Sequence, residues 1–339
     1  MDMWILARCR RVCLHKLIAW IAVGLAVCGV AFLYKNYLVD FFEGPYPKSE
    51  TELSRILSPN AIEHNFVRVA GSKIVDTGLQ QVEVSKGYGT ETQKVKAGYY
   101  VLKTGQRLLL VKAASTPSLT VDGSLEPIPS DVWSHLFHDP AEQRELSPRF
   151  LHVLLNAESF RLPGYIGLSI GALALSFVSF FGYRVWKQLQ DPSGLRVVQR
   201  VKGWGDQYTI SSEIERECAQ SVRMKQGSVR FTDKYAVLSR LFKFDVFRIE
   251  DLVWAYKGIT RHYTNFIPTG KTYNAVLVFY GGALDIQGAD KKINSVLEFL
   301  LAKAPWAIFG YSKERAEVFS KNTAGFCQVV EQRRRQAGR

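Results

Sequence analysis

Two uncharged apolar runs, each closed at both ends by a basic residue, restrict what this chain can fold into more than any other feature. Leu17 to Tyr34 lies between Lys16 and Lys35, 18 residues that make about 27 Å of helix at ~1.5 Å per residue. Leu162 to Tyr183 lies between Arg161 and Arg184 and is 22 residues long. A hydrocarbon core of about 30 Å calls for roughly 20 apolar residues, so the first run just suffices and the second spans with room for tilt. Arg8, Arg10, Arg11 and Lys16 would also suit a cleaved signal. The first run is longer than the usual apolar segment of ~7 to 15 residues, however, and no small-residue cleavage pattern precedes Lys35. It reads as an uncleaved anchor.

Charge then predicts the orientation. The 16 residues before the first run carry +3, Lys35 to Arg161 carries 14 basic and 15 acidic residues, and the remainder carries +11. Basic residues near span ends stay on the cytoplasmic side, and here they are Arg8, Arg10, Arg11 and Lys16 before the first run and Arg184, Lys187, Arg196, Arg200 and Lys202 after the second. Both termini are expected to be cytoplasmic and the middle segment extracytoplasmic. Gly167 and Gly171 form a G-x-x-x-G, and Gly24 with Cys28 a similar small-residue spacing, so close helix packing is available. Neither run contains an ionisable residue, which argues against an ion path or proton relay.

The middle segment opens with SETELSRILSPN, a short helix closing at Pro59, and then alternates with period two. NFVRVAG, KIVDTG, QQVEVS, AGYYVLKTG, QRLLLVKA and SLTVDGSL read as antiparallel strands separated by glycine turns, hence a barrel or sandwich of five or six strands. The V-x-V-x-G phrase with the later L-L-V and D-G-S-L resembles the strand grammar of small OB-like barrels. The segment has no cysteine and must hold by core burial alone; it also has no N-x-S/T sequon, which favours a bacterial inner membrane.

After the second run, Asp191, Pro192 and Ser193 start a helix with Leu195, Val198 and Val201 on one face, and SSEIERECAQSV reads as a second helix with a capping-box spacing from Ser212 to Glu215. Period-two strands follow: GSVRFT, a turn at Asp233 and Lys234, YAVLS, FDVFRI and EDLVWAYKGIT. A polar loop then runs to Tyr273, before NAVLVFY, a Gly281-Gly282 turn and ALDIQG. KKINSVLEFLLAKAP closes the domain as an amphipathic helix with Ile293, Val296, Leu297, Leu300 and Leu301 on one face. This succession, in Val229 to Thr232, Asp233 to Leu238, Ile249 to Tyr256, Ala275 to Tyr280, Ala283 to Gln287 and Lys291 to Lys303, is similar to the pleckstrin-homology-like domains of bacterial membrane-associated proteins. The resemblance implies recognition and not catalysis, although fold alone does not decide function.

The resemblance makes Arg223, Lys225, Arg230, Lys234, Arg240 and Lys243 the candidate contacts to anionic lipid headgroups. Trp254, Tyr256 and Trp306 are the aromatics that a protein partner could use, with a core role as the plainer reading. His135, His138 and Asp139 in SHLFHDP are the densest metal-capable group, but His135 and His138 lack the HEXXH spacing and a third ligand. Thr269-Gly270-Lys271-Thr272 imitates the end of a P-loop, yet position 265 is Asn where the loop needs Gly. Cys9, Cys13, Cys28, Cys218 and Cys327 have no redox or zinc spacing. No catalytic, cofactor or metal residue is assigned, and nucleic-acid binding is not expected because the +11 is dispersed.

The expected class is a membrane-anchored α+β protein: a basic N-terminus (1–16), a span (17–36), an extracytoplasmic OB-like β-barrel or sandwich (37–160), a second span (162–184), a helical linker (188–225), a PH-like domain capped by a helix (226–305) and a C-terminal helix with a basic tail (306–339). The expected role is a non-enzymatic adaptor, sensor or assembly factor in the bacterial inner membrane, with a protein partner, anionic lipid or a second copy of itself as associates. A metal-dependent hydrolase using His135 and His138 is the alternative.

Overall fold

The computed structural model describes residues 3–337 except 57, 60, 61, 88, 89, 138, 265 and 266, and gives backbone alone for 84–87, 90–93, 142, 267 and 268. The fold is mixed α+β, with two 30-residue helices, Trp4–Leu33 and Arg161–Gln190, that are long and apolar enough to cross a membrane. The chain divides into two units, residues 23–178 and residues 1–22 with 179–339.

In the unit of residues 23–178, the end of α1 (Trp4–Leu33) is followed by α2 (Lys35–Glu43), β1 (Tyr46–Pro47) and α3 (Glu50–Ser54). The last is started by a capping box in which Ser49 Oγ accepts from the Glu52 N–H and Glu52 accepts from the Ser49 N–H at 2.9 Å. The strands are β2 (Phe66–Ala70), β3 (Lys73–Gly87), β4 (Thr90–Thr104), β5 (Arg107–Ala113) and β6 (Thr120–Pro127); after α4 (Ser130–His135) and α5 (Pro140–Leu146) comes β7 (Phe150–Asn156), and α6 (Arg161–Gln190) ends the unit. They form one seven-stranded sheet in the order β1-β2-β6-β7-β5-β4-β3 that does not close into a barrel, in place of the expected barrel or sandwich of five or six strands. Two local causes stand out. Gly78 adopts φ +73 at an irregularity between Asp76 and Gln80, so KIVDTG and QQVEVS run on as one strand instead of turning. The near-continuous apolar stretch FLHVLLN, which shows no alternation, inserts as β7 between β5, to which it is parallel, and β6. Val67, Val69, Leu102, Leu109, Val111, Val121, Val153 and Leu155 form the core, with Leu53 of α3 against them.

In the other unit, α7 (Arg196–Trp204) and α8 (Gln207–Gln220) are separated by Gly205 at φ +137. The start of α8 is set by Asp206, whose carboxylate accepts from the Thr209 N–H at 2.8 Å, and not by a box at Ser212. Strands β8 (Met224–Gln226), β9 (Val229–Phe231), β10 (Tyr235–Arg240) and β11 (Lys243–Arg248) make an antiparallel sheet ordered β11-β10-β9-β8. A second sheet holds β12 (Leu252–Thr264), β13 (Ile267–Phe279) and β14 (Gly282–Gly288); α9 (Asp290–Lys303) follows, β15 (Ile308–Phe309) joins β12 in parallel, and α10 (Lys313–Lys321) and α11 (Thr323–Gln336) complete the chain. The described residues of the segment read as a polar loop before Tyr273 are paired strand, with Arg261 opposite Lys271 and His262 opposite Gly270.

The first sheet is covered on both faces. Val229, Phe231, Ala236, Leu238 and Phe247 join the second sheet, Ile293, Val296 and Leu300 of α9, and Phe326 and Val330 of α11 in one core. Tyr235, Val237, Phe244 and Val246 pack instead against Val197, Val198 and Val201 of α7, Ile210 and Ile214 of α8, and Ile5 and Cys9 of α1. The first turns of α1 are thus core in this unit.

Candidate functional site

The cations assigned to lipid headgroups occupy separate places. Arg223 is bound to Asp233 at 2.8 Å, and Lys303 reaches the same carboxylate at 2.6 Å. These two hold the Asp233 carboxyl down at about 2, the bond to Arg223 contributing most. Lys234 bonds to Glu213 at 2.5 Å and holds that carboxyl below its ordinary value. Lys225 and Arg230 face each other across β8 and β9, and Arg240 and Lys243 close the β10–β11 hairpin. Among the described residues these last four make no ion pair.

Of the aromatic candidates, Trp254 and Trp306 are each 3% exposed and belong to the core, while Tyr256 is half-buried. The Trp254 indole N–H donates to the Gly310 carbonyl at 2.9 Å, and its ring lies against Tyr256, Phe319 and Phe326. A patch built from these three would present Tyr256 alone.

His135 ends α4 with Nδ1 2.7 Å from the Asp131 carbonyl, and Asp139 accepts from the Ala141 N–H at 2.8 Å; His138 lies outside the described residues. Among the described residues no three His, Cys, Asp or Glu side chains gather as a metal site. Thr269-Gly270-Lys271-Thr272 lies within β13, paired to β12, with Thr272 Oγ1 2.6 Å from His262 Nε2, so its backbone cannot wrap a phosphate. Burial pushes the Cys218 thiol above its ordinary range, which suits packing and not reactivity.

What the structure does bring together is a different set of cations. Lys16, Arg184, Arg196 and Lys243 line one cavity of about 450 Å³, with Phe242 and Asp245 also on its wall. Lys16 belongs to α1, Arg184 to α6 and Arg196 opens α7, while Lys243 begins β11. Two contacts hold these elements in place. His15 Nδ1 is 3.2 Å from the Leu241 carbonyl at the hairpin tip, and Trp20 of α1 stacks on Phe181 of α6 with ring centres 5.4 Å apart. Asp245 is bound by Arg200, which also donates to the Val246 and Gly281 carbonyls at 2.8 and 3.1 Å. In sequence, Lys16, Arg184 and Arg196 stand out only as charges that orient the spans. Their sole local signal is that Lys16 and Arg184 directly abut the apolar runs.

No curated protein matches the chain, and no solved structure does. One family model matches, described as a domain of unknown function, DUF6709, over residues 202–319, a stretch that runs from the end of α7 through α8, both four-stranded sheets and α9 into α10.

Proposed function

We propose that the chain is a two-span membrane protein, non-enzymatic, which acts as an adaptor, sensor or assembly factor through a cytoplasmic PH-like recognition domain and an extracytoplasmic β-rich domain. The observation that carries this reading is the order of elements beyond the second apolar helix. Four antiparallel strands are followed by three more and then by the amphipathic helix α9, one strand more than the PH-like succession read from the sequence and in the same order. The charge partition supports cytoplasmic termini, with +3 before the first run and +11 after the second against −1 between them. The missing N-x-S/T sequon supports a bacterial inner membrane. Two long helices without an ionisable residue in their apolar runs support anchoring over transport.

The test uses the full chain with Cys28 and Cys327 replaced by serine and single cysteines placed at Val82, Lys225 or Lys313. In intact cells a membrane-impermeant thiol reagent is expected to label position 82 alone, with 225 and 313 labelled after permeabilisation. Labelling of all three, or of none before permeabilisation, overturns the topology. A photo-crosslinker at Lys225 is expected to trap one defined protein in cells, and a diffuse background pattern would count against recognition of a partner.

A further inference from the structure

Four cations beside the ends of the apolar runs share one cavity, and among the described residues none of them has an ion-pair partner. Lys16 is the residue before Leu17 and Arg184 the residue after Tyr183, so the cavity sits where both apolar runs stop. The carboxylate on its wall, Asp245, is already bound by Arg200 at 2.5 Å. Like charges gathered without counter-charges repel one another, and an anion placed among them relieves that repulsion. Next to the cavity, the hairpin tip presents Leu241 and Phe242, 58% and 48% exposed, and His15 of α1 lies within hydrogen-bond distance of the Leu241 carbonyl. Apolar side chains beside a basic hollow at a span end match the two layers of a membrane surface, acyl chain and phosphate.

We propose that this cavity holds the phosphate-bearing headgroup of an anionic phospholipid, with Lys16, Arg184, Arg196 and Lys243 as donors to its oxygens. Lysine and arginine recognise phosphate oxygens through charge-assisted hydrogen bonds. A soluble phosphate would satisfy the same groups, but only a lipid also explains the exposed Leu241 and Phe242 and the position at the span ends. The proposal rests on the two-span reading above.

The full-length protein is reconstituted in nanodiscs of phosphatidylcholine alone or mixed with phosphatidylglycerol, and the lipid retained on mild detergent extraction is read by native mass spectrometry. Wild type is expected to retain phosphatidylglycerol. The combined variant Lys16→Gln, Arg184→Gln, Arg196→Gln, Lys243→Gln should lose retention on the order of tenfold or more, and added salt should weaken it further in wild type. A control with the same change of charge elsewhere, Arg261→Gln, Lys291→Gln, Lys292→Gln, Lys313→Gln, should behave as wild type, as should the charge-retaining pair Lys16→Arg, Lys243→Arg. Should the combined variant not be recovered folded, the single variants Lys16→Gln and Lys243→Gln carry the comparison. Equal retention by wild type and the cavity variants, or equal loss in the control, overturns the site. Inorganic phosphate that binds wild type in phosphatidylcholine discs, is lost in the cavity variant, and is accompanied by no lipid retention overturns the lipid source. Release of wild type from native membranes by alkaline carbonate would overturn the two-span reading itself, whereas a protein that stays in the membrane without retaining lipid overturns the cavity proposal alone.

Discussion

The backbone N–H of Ile5 donates a 3.2 Å hydrogen bond to the hydroxyl of Ser211, 206 positions further along the chain. Ile5 lies in the first turn of α1, where helix N–H groups have no intrahelical acceptor. Ser211, buried within α8, supplies the missing acceptor, and Ile5 packs with Cys9, Val197, Val201 and Ile214 in the same core. The start of the chain and its C-terminal sheets are therefore one folding unit.

Replacing Ser211 with Ala should leave that buried N–H unpaired and cost about 1–2 kcal/mol, while Ile5→Ala, at a fully buried position, should cost about 2–5 kcal/mol. Thermal unfolding of the detergent-solubilised full chain checks both. An unchanged midpoint in Ile5→Ala would mean that the first turns of α1 are not core.

Arg200 ties α7 to β11 and to the β13–β14 turn through Asp245, Val246 and Gly281, with its guanidinium 4.2 Å from the centre of the Phe247 ring. Arg200→Ala removes all of these and strands a half-buried carboxylate, so a loss of roughly 3 kcal/mol is expected. Arg200→Lys keeps the charge without the planar fork and should recover less than half of it, as seen by denaturant unfolding.

Trp254→Phe deletes the bond to the Gly310 carbonyl while keeping an aromatic ring in the cluster with Phe319 and Phe326. It should cost about 1–2 kcal/mol, against about 3–5 kcal/mol for Trp254→Ala. Because this contact is one of those that hold β15 and the chain after it to β12, limited proteolysis after Gly310 should speed up in Trp254→Phe and more in Trp254→Ala.

Asp233 links Arg223 and Lys303, which hold its carboxyl at about 2 against an ordinary 3.8. A carboxyl whose folded value is depressed contributes stability that is complete above the unfolded value and lost as pH falls through the folded one. Between pH 3.8 and about 2 the wild-type unit should lose stability that Asp233→Asn no longer has to lose. Melting curves across that range should converge as pH falls; parallel curves would show that the exposed network contributes nothing, and high salt should narrow the gap at neutral pH.

In the unit of residues 23–178, Asp40 is 3% exposed and accepts from the N–H groups of Asn65 and Phe66 at 2.7 and 3.3 Å, with His64 Nδ1 at 2.9 Å. Asp40→Ala would leave these donors unanswered at the start of β2, and a loss of about 2–4 kcal/mol is expected. Hydrogen exchange at the Val67 and Val69 amides reads that loss locally.

Features that depend on near neighbours in the chain were legible from residues alone. The two apolar runs are visible because a hydrocarbon layer tolerates no charge over some twenty positions, and the helix α9 because Ile293, Val296 and Leu300 recur at helical spacing and all three are buried. Local pattern already failed at Leu301, which shares that face by spacing but is 50% exposed. Paired backbone needs no apolar side chains, so the polar stretch after Thr260, whose Arg261 and His262 pair with Lys271 and Gly270, gave no sign of being strand. Nor does alternation mark β7, which lies in the middle of its sheet and is apolar nearly throughout.

The gathering of Lys16, Arg184, Arg196 and Lys243, and the burial of Ile5 beside Ser211, were decided by tertiary structure alone. Local patterning registers a charge or an apolar side chain by its spacing to neighbours within a few residues. These groups come from segments up to more than two hundred positions apart, and they meet only because both faces of the β8–β11 sheet must be covered, one of them by α1 together with α7 and α8 from the middle of the chain.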